Sequence, residues 1–341
     1  MKRVTKIKLH FYFLIILFCN SELSAQKLFD KDISLNKDQL INFIKVMGDV
    51  CKSNNFFFNI ENHKSYPSFG KKEHWQIVCE KIDKIDNKKN LIQFINNNFE
   101  IKQPHKSAGL LTGYYEPTIN VSKEKTAIFR FPILKKNNIY IGRSREYIQN
   151  HFELKDVLTW TDDIIDLFFL QIQGSGIGKF SDGTTIKIVY DGNNKLPYSS
   201  IGKFLINKGY LKSKNTNLFS IKNWLRQNKK LSRNVMNSNK RYIFFKSLKS
   251  QNSQPRGAFG TQLSPNSSIA VDKKIYPLGI PFIIYSVSDE TYFPVVSLDT
   301  GSAIIGPNRA DIFTGRDNKA EEKAGNLKKK IYLLALIPYS K

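Results

Sequence analysis

Residues 295–306 read VVSLDTGSAIIG, an apolar run that is interrupted by the polar stretch Asp-Thr-Gly-Ser at 299–302. A short apolar run bounded by turn residues predicts a buried strand that ends at the carboxylate. Asp272 in SIAVDKKIYPLG and Asp311 in NRADIFTG lie beside similar apolar runs. Such carboxyl groups lose water, which raises their pKa and suits a general acid. Each acid alone could equally cap its own turn, but three in one C-terminal β region favour a catalytic site.

The Asp-Thr-Gly sequence at 299–301 is also typical of aspartic proteases, in which two such acids share one proton. Because the chain contains a single Asp-Thr-Gly, a protease of this kind would have to be one half of a symmetric dimer. The chain is far longer than such a half requires, and the Ile-Ile-Gly at 304–306 follows too closely to form the supporting loop. A homodimeric aspartic protease is therefore the less favoured alternative.

The composition indicates a folded and strongly basic protein. Of its 341 residues, 41% are hydrophobic and 13% aromatic, which is ample for a packed core, and the net charge is +24. The lysines are scattered among asparagines without a recognisable nucleic-acid module, so an anionic polymer or membrane surface is expected and specific nucleic acid is not. The five histidines are isolated and no Cys-x-x-Cys occurs, so no metal site and no cofactor is expected.

The first residues follow the three-part pattern of a secretory signal peptide. Basic MKRVTKIK precedes apolar LHFYFLIILFC, and small residues lead up to Ala25. We therefore expect a signal peptide over residues 1–25 and export of the rest. A lipid on Cys19 is the alternative, which bulky Phe18 disfavours.

The segment after the signal peptide is predicted to be helical and to carry a disulfide. Apolar residues recur at helical spacing in 36–50, 74–85 and 88–99. Cys51 and Cys79 are the two remaining cysteines, and in an oxidising compartment an even pair favours a disulfide over two buried free thiols.

From about residue 108 the pattern changes to β. The stretch 166–176, DLFFLQIQGSG, alternates and predicts a strand with Gln171 and Gln173 on one face. Asp182-Gly183 predicts a two-residue hairpin. Further predictions are a helix with a Ser cap in SSIGKFLINKG at 199–209, a helix capped by Ser220, a boundary loop at 228–240, and strands at YIFFK, SIAVD, PFIIY, FPVVSLD and IYLLALI. Together they indicate a mainly β protein with helical decoration.

Four blocks of sequence occur in an order that points to a known family. They are GLLTGYYEP at 109–117, FFLQIQGSGIGKFSDGTTIKIVYDGNNKLPYSSIGKFLI at 168–206, QPRGAFGTQLSPNSSIAVDKKIYPLGIPFII at 254–284 and LDTGSAIIGPNRADIFTG at 298–315. Together they resemble the membrane-bound lytic murein transglycosylase A (MltA) family. The resemblance implies a mainly β fold: a double-psi β-barrel domain at 26–113 plus 241–341, interrupted by an inserted second β-barrel-like domain at 114–240, with a few short helices at the N-terminus and in the insert.

The same resemblance assigns roles to the acids. The last of the family's three named aspartates, in its three-aspartate (3D) domain, falls on Asp311, which becomes the expected catalytic residue. Asp299 is then its close partner, supported by Thr300 and Gly301. Asp272 is expected to hold a barrel loop.

The activity implied is cleavage of the β-1,4 bond between N-acetylmuramic acid and N-acetylglucosamine in peptidoglycan, with a 1,6-anhydro product. One of two adjacent tyrosines is expected to stack on sugar and the other to pack in the core, and Glu116 either bonds a sugar hydroxyl or is an ordinary surface acid. Two glutamine amides and a glycine turn that permits close backbone approach are further candidates. The expected substrate-binding residues are Tyr114, Tyr115, Glu116, Gln171, Gln173, Gly174 and Ser175.

Peptidoglycan glycan strands are therefore the expected partner, with other cell-wall enzymes as further candidates, and a monomer is expected. The expected location is the periplasm, with the outer membrane as a candidate site of association. A non-catalytic cell-wall-binding module is the alternative from a different functional class.

Overall fold

The computed structural model describes residues 37–82, 84–248 and 255–340. The predicted signal peptide, including Cys19 and Ala25, lies outside the described residues. The helices are α1 Lys37–Cys51, α2 Asn54–Glu61, α3 Lys72–Ile82, α4 Lys88–Asn98, α5 Arg145–Asn150, α6 Ile164–Gln173, α7 Ile201–Asn207, α8 Leu218–Gln227, α9 Lys229–Asn237 and α10 Asn318–Asn326, with short 3-10 turns at Asn138–Tyr140, Leu154–Asp156 and Ser213–Asn215. The strands are β1 Phe99–Lys102, β2 Gly109–Tyr114, β3 Thr118–Ser122, β4 Phe131–Leu134, β5 Val157–Thr161, β6 Ser175–Lys179, β7 Thr185–Asn193, β8 Ile243–Leu248, β9 Ser268–Ala270, β10 Pro281–Ser286, β11 Thr291–Asp299, β12 Arg309–Phe313 and β13 Lys328–Pro338.

Two β-sheets form the framework of this mainly β protein. The first has the order β1-β13-β10-β11-β9-β12-β2, and β2 also pairs with β13, so six strands close into a barrel. The sheet contains both parallel and antiparallel strand pairs: β12 runs parallel to β2, and β9 runs parallel to β11. Closure leaves no free edge among these six strands and holds β12 rigidly between β2 and β9.

The N-terminal helices, which the periodicity predicted, pack on the barrel. Phe43 of α1 and Trp75 of α3 are buried in one apolar core with Phe282 and Leu333 of the barrel strands. Cys51 and Cys79 are joined by a disulfide that connects α1 to α3, with Cα atoms 5.4 Å apart. Within the described residues, no helix has both the length and the apolar character that a membrane span requires.

The second sheet has the order β4-β5-β3-β6-β7-β8. Its strands β6 and β7 form the hairpin predicted at Asp182-Gly183, although Phe180 bonds Thr184 across a three-residue turn in which Gly183 has φ +85°. Strand β8 pairs with β7. The second sheet therefore continues beyond residue 240, the end of the inserted domain that the family resemblance implied.

The predicted strand over 166–176 is wrong, because residues 164–173 form helix α6. Asp163 caps its start by accepting from the amides of Ile165 and Asp166, and Gly174 ends it in the left-handed conformation. The helix lies between the second sheet and α7 to α9, so one side buries Leu170 and the other buries Phe168. A helix buried on both sides is apolar almost all round, which hides its period of 3.6 residues.

Two local predictions in the same region also need correction. Most of the predicted loop at 228–240 is helix α9, which buries Ser232, Val235 and Met236 at helical spacing. Helix α8 is capped by Asn217, and Ser220 is its reciprocal partner in a capping box. Abundant asparagine and lysine conceal a short amphipathic face, since three buried positions give a weak periodic signal.

Candidate active site

The strand order of the barrel brings Asp299 and Asp311 to the same place. Asp311 lies in the middle of β12, between buried Ala310 and Ile312, and Asp299 ends β11. Both acids are in register with Ala270 of β9, which runs between these strands. Residues directly opposite each other in a sheet share a face, so the two acids flank one small buried side chain.

Asp311 is half-buried and is positioned by its neighbours on β2 and β12. The hydroxyl of Thr112, its direct partner in register, donates a hydrogen bond to the Asp311 carboxylate. Arg309 Nη2 donates to the Thr112 hydroxyl oxygen over 2.8 Å, which orients that hydroxyl towards the acid. Burial raises the pKa of Asp311 to about 6, with a smaller increase from the charge of Asp299, although Thr112 and Arg309 oppose the shift. The group can therefore hold a proton close to neutral pH.

Asp299 is held by three donors. The amides of Ala258 and Thr300 donate to Oδ1 over 3.0 and 2.8 Å, and the hydroxyl of Tyr114 donates to Oδ2 over 3.0 Å. Burial raises the pKa of Asp299, while these donors lower it. Three donors suit an ionised carboxylate, and the charge of Asp299 contributes to the raised pKa of Asp311. Gly301 continues the same turn by accepting from the amide of Ile304.

Tyr198, which lies outside the barrel strands, is close enough to Asp311 for the two groups to interact electrostatically. Tyr198 lies in the loop between β7 and α7. Burial is the main cause of its raised pKa; the negative charge of Asp311 raises the pKa further, whereas the positive charge of Arg309 lowers it. Sequence reasoning missed Tyr198, Thr112, Arg309 and Ala270, because their roles depend on strand register and on a contact between distant segments.

Asp272 lies in the loop after β9. Its Oδ1 accepts from the amide of Lys274 and its Oδ2 from the amide of Gly306, both over 3.0 Å. The carboxylate thus fastens the loop between β11 and β12 to the loop between β9 and β10. This geometry supports the loop-holding role expected for it.

The two adjacent tyrosines face in different directions. Tyr114 reaches Asp299, whereas Tyr115 is buried and donates to Glu321 Oε1 over 2.8 Å. The backbone amide of Tyr115 also donates to the side chain of Gln173 over 3.1 Å. Tyr114 therefore belongs to the acid pair and Tyr115 to the packing of α10.

The residues around the predicted glycine turn hold the second sheet together. Gln171 is buried on α6, where its amide accepts from Arg145 and donates to the backbone oxygen of Ile243. Gln171 and Gln173 therefore do not lie on one strand face, and both are engaged within the protein. Gly174 ends α6, and the hydroxyl of Ser175 donates to Glu116 over 3.2 Å.

Glu116 is almost completely buried, with 1% of its surface exposed, so it is not a surface acid. It forms ion pairs with Lys187 of β7 and with Arg316, whose Nε lies 2.7 Å from Glu116 Oε2. The carboxylate therefore joins the second sheet to the segment that follows β12, and it is engaged within the protein.

Metal ligands are not grouped in the part of the chain that the structure describes. No cluster of three or more His, Cys, Asp or Glu side chains there could hold a metal ion. The side chains gathered at the candidate site are carboxylates, hydroxyls and one guanidinium.

Family models match two parts of the chain. The MltA specific insert domain matches residues 135–246 and the 3D domain matches residues 267–336. The first spans strands of the second sheet with α5 to α9, and the second spans β9 to β13 with all three aspartates. Together the two matches cover more than half of the chain.

Known proteins with similar sequences or structures agree with these matches. Membrane-bound lytic murein transglycosylase A of Vibrio cholerae is 30% identical over 234 residues, which cover 64% of this chain and 62% of that protein. The protein of the same name from Escherichia coli K12 is 29% identical over 229 residues, which cover 63% of this chain and 61% of that protein. The matched part is thus less than two thirds of either relative.

The crystal structure of a membrane-bound lytic murein transglycosylase from Agrobacterium tumefaciens superimposes with a TM-score of 0.76 and 25% identity, over 89% of this chain and 94% of that one. MltA from Neisseria gonorrhoeae superimposes with a TM-score of 0.67 and 26% identity, over 89% of each chain. With its insert domain, its 3D domain and this shared architecture, the chain belongs to the membrane-bound lytic murein transglycosylase A family.

Proposed function

We propose that the protein is a lytic transglycosylase that cleaves the β-1,4 bond between N-acetylmuramic acid and N-acetylglucosamine in peptidoglycan and leaves a 1,6-anhydromuramoyl end. The observation that carries the proposal is Asp311, a half-buried acid with a pKa of about 6. The names of the relatives, which describe murein transglycosylases, support the same activity.

Asp311 acts first as a general acid. In its protonated form it gives its proton to the bridging oxygen of the glycosidic bond while the bond from C1 to that oxygen breaks. Thr112 and Arg309 hold the carboxyl in one orientation, so the proton is delivered along a fixed direction. A positioned acid or base typically contributes about 10²–10⁴-fold to the rate.

Asp311 then acts as a base on the same sugar. The C6 hydroxyl of the muramoyl residue attacks C1, and the Asp311 carboxylate accepts its proton, which closes the 1,6-anhydro ring and restores the acid. Because the nucleophile belongs to the substrate, no second catalytic carboxylate is needed, in contrast to most glycosidases. The negative charge of Asp299 favours positive charge that develops at C1 in the transition state.

The glycan is proposed to lie between the barrel and the second sheet, where Tyr198 approaches Asp311. The net charge of +24 would hold the protein on a wall whose peptides carry carboxylates, and this attraction would weaken with salt. Because peptidoglycan is the proposed substrate, we place the protein in the cell envelope, with the periplasm as the proposed compartment.

Mass spectrometry of sacculi digested by the protein tests the proposal. A lytic transglycosylase releases muropeptides that are lighter by one water than the products of hydrolysis. A wall-binding module would sediment with sacculi and release nothing, and an aspartic protease would cut peptides at acid pH and leave the glycan intact. Either of the last two results would refute the proposal.

Thr112→Val is expected to move the pH dependence to higher pH. Activity requires protonated Asp311, so it should fall as the pH rises through about 6. The Thr112 hydrogen bond favours the ionised carboxylate, and its loss raises the pKa of Asp311, so the descending limb should shift upward by about one pH unit. The profile of kcat against pH measures this, with exposed Thr118→Val as a matched control. An unchanged midpoint would show that the hydrogen bond does not tune the acid.

Asp299→Asn is expected to shift the same limb in the opposite direction. The charge of Asp299 raises the pKa of Asp311, so neutralising it should lower the pH at which activity is lost. The rate should also fall, but by less than the 10²–10⁴-fold expected for loss of the acid itself. The same pH profile tests this, and an upward shift would contradict the electrostatic role given to Asp299.

A further inference from the structure

A cavity of about 480 Å³ opens beside the second sheet, between β4, α5, α6 and α9. Three cations, Lys125, Arg130 and Arg233, lie at its edge, and aromatic side chains such as Phe131 and Phe152 form part of its floor. Among the described residues that line it there is no Asp or Glu, and neither acid of the candidate active site takes part. We call it the cationic pocket.

The three cations at the edge are exposed. Within the described residues, none of them forms an ion pair with a carboxylate. Lys125 and Arg130 lie over aromatic rings instead, with Arg130 Cζ 5.2 Å from the centre of the Phe131 ring and Lys125 Nζ 5.6 Å from that of Trp160. Aromatic contacts hold a cation in place without neutralising it, so the pocket favours an anion.

A buried arginine adds positive charge behind the floor. Arg145 has 1% of its surface exposed and lies 5.3 Å from the ring of Tyr242, which lines the pocket. Its guanidinium donates to the backbone oxygens of Asn239 and Arg241 and to the amide of Gln171. These partners are neutral, so the charge of Arg145 remains uncompensated among the residues that the structure covers.

Gln149 has a buried side-chain oxygen beside the pocket. It lines the cavity from α5, and its side-chain oxygen is buried without a donor in the described part of the chain. A buried acceptor without a partner is costly. A ligand with an N–H group would supply the missing donor.

We propose that the cationic pocket binds the C-terminal residue of a short peptide. Its carboxylate would lie among the cations, its amide N–H would donate to Gln149, and its apolar side chain would cover the aromatic floor. An inorganic anion would use the cations alone and leave the other two features unused. The peptides of the cell wall and free peptides share this chemistry.

Isothermal titration calorimetry with N-acetyl-alanyl-alanine tests the proposal directly. The C-terminal carboxamide of the same peptide should bind at least about tenfold more weakly, because it lacks the charge that the cations attract. Arg130→Gln combined with Arg233→Gln should weaken the acid form by a similar factor. Lys214→Gln, an exposed cation outside the pocket, should leave binding unchanged. Circular dichroism would establish that each variant is folded.

Gln149→Met separates a peptide site from a simple anion site. It should weaken the peptide about threefold to tenfold, since one hydrogen bond is lost, and leave inorganic phosphate unaffected. Absence of peptide binding, phosphate binding as tight as peptide, or acid and carboxamide of equal affinity would each overturn the proposal. Muropeptide binding that competes with N-acetyl-alanyl-alanine would identify the wall as the source, and its absence would identify free peptides.

The measurement does not depend on glycan cleavage. Asp311→Asn protein should bind the peptide as tightly as the unaltered protein, because Asp311 does not line the cationic pocket. Failure of the peptide proposal is therefore distinguishable from failure of the proposed transglycosylase activity.

Discussion

Asp311→Asn is expected to lower the release of anhydro-muropeptides from sacculi by at least about 10²–10⁴-fold. The substitution keeps the shape of the side chain and its bond with Thr112, but the amide can neither give the proton to the leaving oxygen nor accept one from the C6 hydroxyl. Both steps of the proposed mechanism lose their only proton carrier. Quantitative mass spectrometry of timed digests measures the effect.

Asp182→Asn provides a matched control for Asp311→Asn. Asp182 is an exposed acid in the turn between β6 and β7, where it accepts from the amide and hydroxyl of Thr184. Its replacement changes the net charge by the same amount and should leave turnover intact. Anhydro products at an undiminished rate from folded Asp311→Asn protein would contradict the assignment of Asp311 as acid and base.

Glu116→Gln is expected to destabilise the fold by about 3–5 kcal/mol, the cost typical of removing one partner from a buried ion pair. Glu116 is 1% exposed and Lys187 is equally buried, so the remaining lysine charge would lie without a partner away from water. Arg316 would lose the same partner at a more exposed position. Urea denaturation gives the free energy of unfolding.

Two comparisons test the explanation for Glu116. Glu124→Gln removes the same charge from an exposed loop position and should change stability little. Lys187→Met should cost less than Glu116→Gln, because Glu116 keeps its ion pair with Arg316. Equal stability of Glu116→Gln and Glu124→Gln would show that the buried ion network does not stabilise the connection between the two sheets.

Sequence patterns predicted the elements whose burial is one-sided or bounded by strong turn residues. The helices at 36–50, 74–85 and 88–99 lie close to where their periodicity placed them, and the C-terminal strands lie where short apolar runs bounded by Pro and Gly placed them. The sequence patterns gave the wrong structure at α6, where packing on both sides removes the helical period, and at α9, where the biased composition hides that period. Periodicity reports how a segment is exposed, and it loses information when exposure is uniform.

The sequence by itself determined which residue types could do the chemistry: carboxylates at the ends of apolar runs, without a grouped set of metal ligands, in an order shared with one family. Only the tertiary structure decided which of them meet. Asp299 and Asp311 flank Ala270 because β9 runs between β11 and β12, and Thr112 reaches Asp311 because β2 pairs with β12. The tertiary structure likewise shows that Glu116 is buried in ion pairs with Lys187 and Arg316. Strand register and the desolvation of charge arise from contacts between residues far apart in the chain, and no local pattern encodes them.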